Sequence, residues 1–336
     1  RALGDGSLRP PHQKIMHGAR ALGGAAARQL VPAVVDPHVH YWRPSTHAWL
    51  KAVIPGGDAH DTPYGRFAPV AGAYTPAMHA AHLAGFAPLA KSVYIQANMH
   101  ATTGVAVAET AYMQGLADAT GHPHGIIAWA PLDAPDEAAR VLDQHGTFPN
   151  FRGVRFMLDF HPTRADLCQS AHGRYMSDGA FERGVREVEA RGHLFELQVC
   201  AVQLAEAAAF VARFPTLQVV LNHAGFPLRG EFDGWRAGLA KLAANPNVAC
   251  KVGGLGAYDD GFAKDEARPH VLACLELFGA ERCMFSSNLP VDIVDWPLGT
   301  PADRWRTYFE IAAEAGMSHE QLCALFCGNA ERIYSV

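Results

Sequence analysis

The sequence lacks an uninterrupted apolar run of 18 or more residues, so it offers no segment long enough to span a bilayer as a helix. It lacks an excess of either charge: 28 basic and 33 acidic side chains leave a formal charge of -5 over 336 residues. That balance gives no general attraction to nucleic acid or to an anionic membrane, and neither partner is expected. Seven cysteines are scattered through apolar surroundings and form no CxxC pair. They read as buried, reduced thiols in a cytoplasmic protein, and no zinc ribbon or disulfide framework is indicated. No glycine-rich cradle follows the first apolar run, where Asp36 is succeeded by Pro37-His38-Val39-His40, so nucleotide and phosphate chemistry are not expected. Low hydrophobicity and high net charge, the marks of disorder, are both missing, since 49% of residues are apolar.

What is abundant is histidine, 18 residues of it, together with a repeating pattern. From residue 33 onward a short apolar run, a polar residue at its end and a helical stretch recur. The runs are Ala33–Asp36, Ser92–Gln96, Gly125–Ala130, Gly153–Leu158, Leu194–Val199, Gln218–Asn222, Asn247–Val252 and Cys283–Ser286. Continuous rather than alternating apolar runs mark strands covered on both faces, hence a parallel sheet. Helix signals lie between them: Thr75-Pro76 before Ala77–Gly85, Asp133-Ala134-Pro135 before Asp136–His145, and Ser177-Asp178 before Gly179–Arg191. Further helices are expected over Ala201–Arg213, Trp235–Ala244, Lys264–Phe278, Ala302–Ala315 and Ser318–Cys327, the last capped by Gly328. Eight strands alternating with helices predict an α/β fold, a single-domain (β/α)8 TIM barrel over residues 31–336. Residues 1–30, with four arginines and one acid, read as a flexible extension, and Met16 is a candidate native start. Residues 41–75 form a long first loop, rich in Trp, Pro, Gly and His, that would lie over the barrel mouth.

Active sites of such barrels lie at the C-terminal ends of the strands, so the residue types found there carry the information. His38 and His40, two apart, face the same side. Gln96 ends the second strand, Arg155 lies in the fourth, and Glu196 and Gln198 share the fifth. Asn222-His223 ends the sixth, Lys251 lies in the seventh, and Ser287-Asn288 follows the eighth. Buried polar groups cost free energy unless paired or used, and seven of eight strand ends carry one. His38, His40 and His223 suit either a single zinc or manganese ion or a metal-free site in which imidazoles hydrogen-bond a substrate carbonyl and its oxyanion. Arg155 matches a carboxylate or vicinal hydroxyls, and Lys251 adds a point charge. Gln96, Gln198 and the loop residue Trp42 complete the expected substrate contacts. A small carbonyl compound is the expected partner, and association of identical chains is left open.

Asp36-Pro37-His38-Val39-His40-Tyr41-Trp42, Tyr94-Ile95-Gln96-Ala97, Gly153-Val154-Arg155, Leu221-Asn222-His223-Ala224-Gly225 and Gly328-Asn329-Ala330-Glu331-Arg332-Ile333-Tyr334 resemble the amidohydrolase-2 branch of the amidohydrolase superfamily. The chain is most similar there to the L-fuconolactonase-like and 2-pyrone-4,6-dicarboxylate-lactonase-like members. The resemblance implies a TIM barrel and hydrolysis of a sugar-acid or dicarboxylate lactone. It implies His38 and His40 as the strand-one pair, Arg155 as substrate-holding and His223 as the strand-six histidine, with or without a divalent metal. Where the family carries a strand-eight aspartate that deprotonates water or binds metal, this chain carries Asn288, and an amide cannot take that proton. A histidine would then act as base, or Asp292 would reach in from the next turn. Two alternatives are a metal-dependent decarboxylase or lyase of aromatic or muconic acids and a ligand-binding relative without catalysis.

Overall fold

Runs such as Val34-Val35, Ser92–Ile95 and Val219–Leu221 bury both faces of each strand, and only a parallel sheet wrapped by helices offers that environment. The computed structural model of the chain describes residues 30–53, 71–259, 261–293 and 299–336. The expected extension over residues 1–30 lies outside the described residues apart from Leu30, as do loop residues Tyr64 and Phe67.

Eight parallel strands pair in sequence order: β1 (Val34–Val39), β2 (Leu89–Ile95), β3 (Gly125–Ala128), β4 (Phe151–Met157), β5 (Leu194–Gln198), β6 (Val219–Leu221), β7 (Val248–Val252) and β8 (Cys283–Phe285). The ring closes between β1 and the segment after β8. Val39 bridges Leu289 in parallel, the His40 amide donates to the Leu289 carbonyl at 2.8 Å, and the Asn288 amide donates to that of His38 at 3.0 Å. All eight expected strands are present, each within a few residues of its predicted place, and the architecture is a (β/α)8 barrel.

The outer layer comprises α1 (Pro76–Leu83), α2 (Met99–Thr103), α3 (Ala106–Thr120), α4 (Pro135–His145), α5 (Gly179–Ala190), α6 (Leu204–Val211), α7 (Phe232–Ala243), α8 (Lys264–Phe278), α9 (Pro301–Glu314), α10 (His319–Cys323) and α11 (Asn329–Tyr334). Thr75 and Asp178 cap α1 and α5 as expected: the Met78 amide donates to Thr75 Oγ1 and the Ala180 amide to Asp178 Oδ1. Pro135 opens α4 without a side-chain cap.

Two expectations need correction. Helix α3 was not anticipated: its alanines and its mixed apolar and polar residues, Glu109 and Gln114 among the buried ones, give no clean apolar stripe. Gly328 is not a C-terminal cap. It sits at helical dihedrals (φ -61°, ψ -35°), and the chain passes through one π turn (Ala324–Gly328) straight into α11. Four of the seven thiols are buried, whereas Cys168, Cys323 and Cys327 are partly exposed. No described helix is long and apolar enough to cross a membrane.

Candidate active site at the barrel mouth

Strand alternation sends Arg155, Glu196, Gln198 and Lys251 into the barrel, where Arg155 on β4 registers with Glu196 on β5. Their partners sort them into two levels. In the lower level Lys251 Nζ donates to both Glu196 oxygens, at 2.7 and 2.6 Å, and the Tyr334 hydroxyl from α11 donates to Glu196 Oε1 at 2.5 Å. Lys251 and Glu196 are fully buried. Burial pulls the ammonium down to about 8, against the support of Glu196. Lys251 is therefore one level below the surface a substrate would meet, and its contact upward is with His38, whose Nδ1 lies 3.4 Å from Nζ.

The imidazoles stand above that pair. His38 packs against His223, with ring centroids 4.4 Å apart, and against His40 at 5.1 Å. All three are buried. Desolvation, reinforced by Lys251 for His38 and by Arg155 for the other two, depresses their pKa values, to about 3 for His40. All three rings are thus neutral at physiological pH. Their protons can be assigned from the neighbours. His40 Nδ1 donates to the Ile95 carbonyl at 2.8 Å, which leaves Nε2 with its lone pair. The Lys251 ammonium can only donate, so His38 Nδ1 is the acceptor and Nε2 carries the proton.

Strained backbone aims these groups. His223, Ala224 and Phe226 after β6, Asn98 after β2 and Asn288 after β8 all have positive φ. Five of the six non-glycine residues in that region among those described therefore lie just beyond strand ends, the placement expected of strain held for function. Gly254 (φ +65°) makes room for His223, since a Cβ there would lie 2.6 Å from Nδ1.

On the next level Arg155 Nη1 donates to Gln198 Oε1 at 2.9 Å, and Nη2 donates to the Gln96 carbonyl at 2.6 Å. Gln198 Nε2 donates to Asp159 Oδ2 at 2.7 Å, so both ends of the Gln198 amide are engaged with protein. Trp42 is buried and stacks on His40 with ring centroids 5.9 Å apart. Asn288 Nδ2 donates to Asp292 Oδ1 at 2.8 Å, and the Asn288 side chain hydrogen-bonds the His40 ring. Asp292 also lies beside Arg304, at 3.4 Å. Burial lifts the Asp292 carboxyl to about 6.

Several residues that shape the mouth were not singled out from the sequence. Asp36 accepts from the amides of His38 and Ser287, each at 3.1 Å, and from His79 Nε2 at 2.9 Å, locking β1 to the turn after β8. Glu109 of α3 accepts from Tyr94 at 2.6 Å, from the Met99 amide at 2.9 Å and from the Ala97 amide. Burial opposes its ionisation, yet hydrogen bonds from His100, Tyr94 and Ala97 hold it at about 2, and the loop carrying Asn98 hangs from it. Asp159 has one oxygen without a partner. The signal for Asp36 stood in the Asp-x-His motif itself, whereas those for Glu109 and Asp159 depend on contacts remote in sequence.

The donor set does not fit the single-metal expectation. Among the described residues no three His, Cys, Asp or Glu side chains are placed to share an ion. The nitrogen of His38 that faces the mouth is the one bearing the proton. The same arrangement suits recognition of a polar molecule: His38 Nε2 and Gln96 Nε2 are buried polar atoms with no hydrogen-bond partner in the protein.

A family model described as Amidohydrolase matches residues 35–336. The chain is 32% identical to protein y4mH of Sinorhizobium fredii over 315 residues, 90% of this chain and 99% of that one. It is also 32% identical to an L-fucono-1,5-lactonase of Burkholderia multivorans over 318 residues, 90% and 96% of the two chains. A solved amidohydrolase from Burkholderia multivorans, crystallised with zinc, superposes with a TM-score of 0.73 at 27% identity, covering 90% of this chain and 99% of that structure.

Proposed function

This chain belongs to the amidohydrolase family and is an enzyme of that superfamily, and from that premise we propose that it opens a small lactone, of a sugar acid or a related carboxylic acid, by attack of water at the barrel mouth. The observation that carries the reading is the pair of unpartnered buried polar atoms on His38 and Gln96, gathered where strand ends converge. The likeness to a lactonase supports the choice of bond.

The chemistry follows from the proton positions. The lactone carbonyl accepts from His38 Nε2–H, and negative charge growing on that oxygen in the transition state strengthens the bond. Lys251 keeps the proton on Nε2 by occupying Nδ1. Water attacks the carbonyl carbon and gives its proton to His40 Nε2, taking the place of Asn288 at that nitrogen. The imidazolium so formed is stabilised by the Ile95 carbonyl at Nδ1–H and by the oxyanion forming beside it. His40 then returns the proton to the ring oxygen as the C–O bond breaks, and the product is an open-chain hydroxy acid. His223 packs against His38 and, with its Nδ1 edge against Gly254, fixes that ring in place. Arg155 holds the substrate's polar substituents, and Asn288 acts as an orienting amide rather than as a base. Gln96 and Trp42 line the same space. No step calls for a metal.

The test is turnover of a panel of aldonolactones, simple δ-lactones and carboxylated lactones, followed by acid release, for wild type and for His38→Gln and His40→Gln. Turnover by wild type and loss of ~10²–10⁴-fold in each variant are expected. Turnover of no lactone, or full activity in either variant, overturns the reading. Dialysis against a chelator is expected to leave rate and melting temperature unchanged, and loss restored by zinc or manganese would assign the three histidines to a metal instead.

A further inference from the structure

Asp159 belongs to no part of the mechanism above, yet it is a fully buried carboxyl beyond the C-terminal end of β4, at the level of the mouth. Its backbone is pinned: the carbonyl accepts from the amides of Gln169 and Ser170, at 3.0 and 3.2 Å, and from Ser170 Oγ at 2.9 Å. Its side chain is half used. Oδ2 accepts from Gln198 Nε2, Gln198 Oε1 accepts from Arg155, and Oδ1 has no partner although it is buried. A buried, unsatisfied carboxylate oxygen costs free energy unless a ligand uses it. Arg155 Nη1 donates to Gln198 and Nη2 to the Gln96 carbonyl.

Resting on the lactonase reading, we propose that Asp159 determines specificity by accepting a hydrogen bond from a ring hydroxyl, so that the substrate is a polyhydroxylated, uncharged lactone rather than a lactone bearing a second carboxylate. The relay Arg155–Gln198–Asp159 fixes Oδ2 and leaves Oδ1 as the acceptor that a hydroxyl can reach. A substrate carboxylate placed against Oδ1 would meet a like-charged group in a desolvated site. Burial lifts Asp159 to about 7 against the pull of Gln198 and Arg155, so the ionised form that accepts from a hydroxyl and repels a carboxylate is the one present above about pH 7, where the three lactones are compared.

Asp159→Asn isolates the idea. The Gln198 amide keeps the new carbonyl oxygen at the Oδ2 position, so the NH2 group falls where Oδ1 was and an acceptor becomes a donor. The probes are an aldono-1,5-lactone, unsubstituted δ-valerolactone and 2-pyrone-4,6-dicarboxylate. On the aldonolactone, kcat/KM is expected to fall ~10–100-fold, the value of one hydrogen bond to a charged group. On δ-valerolactone it stays within about twofold, and a melting curve close to that of wild type accompanies both. Equal loss on the two lactones, or a wild type that does not prefer the hydroxylated one, overturns the assignment while leaving the lactonase reading intact. Faster wild-type turnover of the dicarboxylate than of the aldonolactone also overturns it. If wild type opens none of the three, the lactonase reading falls and this assignment with it.

Discussion

Replacing Lys251 by methionine removes the ammonium and keeps most of the stem's volume. Glu196 then remains at zero exposure with the Tyr334 hydroxyl as its remaining hydrogen-bond donor among those described. Breaking a buried ion pair by deleting one partner costs about 3–5 kcal/mol, because the survivor keeps its desolvation penalty without its attraction. For a chain of this length, roughly 2 °C or slightly less per kcal/mol converts that to a fall of about 5–10 °C in melting temperature. The double variant Lys251→Met, Glu196→Leu deletes both charges and is expected to recover most of the loss, since apolar replacement of a whole buried pair is often neutral. Its activity does not recover. Without the ammonium at Nδ1, His38 is free to place its proton on either nitrogen, and the Nε2–H that meets the carbonyl is no longer enforced. Differential scanning fluorimetry and lactone turnover on the two variants give the separate readouts. A single variant within about 1 kcal/mol of wild type, or a double variant no more stable than the single, would refute the energetic argument. A stable double variant with wild-type turnover would refute the tautomer argument.

On δ-valerolactone, after subtraction of spontaneous hydrolysis, kcat/KM should stay level between about pH 5 and 7 and fall above about 8. His40 stays unprotonated well above its own value of about 3, whereas Lys251 loses its proton near 8 and with it the hold on His38; a profile rising through pH 8–9 would exclude that role. Asn288→Asp should not improve the enzyme, because the new carboxylate falls 2.8 Å from Asp292 Oδ1 and the two cannot both ionise. One of them then has its folded-state pKa raised, so the extra stability is present at low pH and is lost as pH rises through that value. Melting curves of this variant and of wild type at pH 5 and pH 8 check it: the variant falls behind wild type as pH rises, and a pH-independent difference with increased turnover contradicts it. Gly254→Ala should lower kcat/KM about 10²-fold, with a stability cost of about 1–2 kcal/mol. The added Cβ pushes His223 aside, and φ is left-handed; crystals showing His223 unmoved would count against the explanation.

The barrel was legible because buried parallel strands are written locally, as continuous apolar runs between helix caps. The residues at the strand ends were legible for the same reason: position on a strand fixes their direction. Their division of labour was not, since it depends on contacts with no trace in sequence spacing. Lys251 and Gln198 read alike as polar strand-end residues. One is spent on Glu196 and Tyr334, 55 and 83 positions away, and the other on Arg155 and Asp159. Asp292, the other carboxylate near the strand-eight turn, is hydrogen-bonded to the Asn288 amide, a contact that spacing alone does not show. Glu109 stayed hidden because its helix carries no clean stripe, and its role depends on the loop it holds.

The closure of the ring between β1 and the turn after β8 has a consequence for how the enzyme comes into being. The stitches there are the His40 amide to Leu289, the Asn288 amide to His38 and the Ser287 amide to Asp36, and they join residues some 250 positions apart. The Glu196 carboxylate that holds Lys251 beneath His38 also accepts from the Tyr334 hydroxyl. During synthesis, seven strands can pair while Asp36 and His38 still lack these partners, so the active constellation arises only when the last turn of the chain docks. Trimming Tyr334–Val336, or loading that segment with a bulky tag, would be felt at the first strand's histidine.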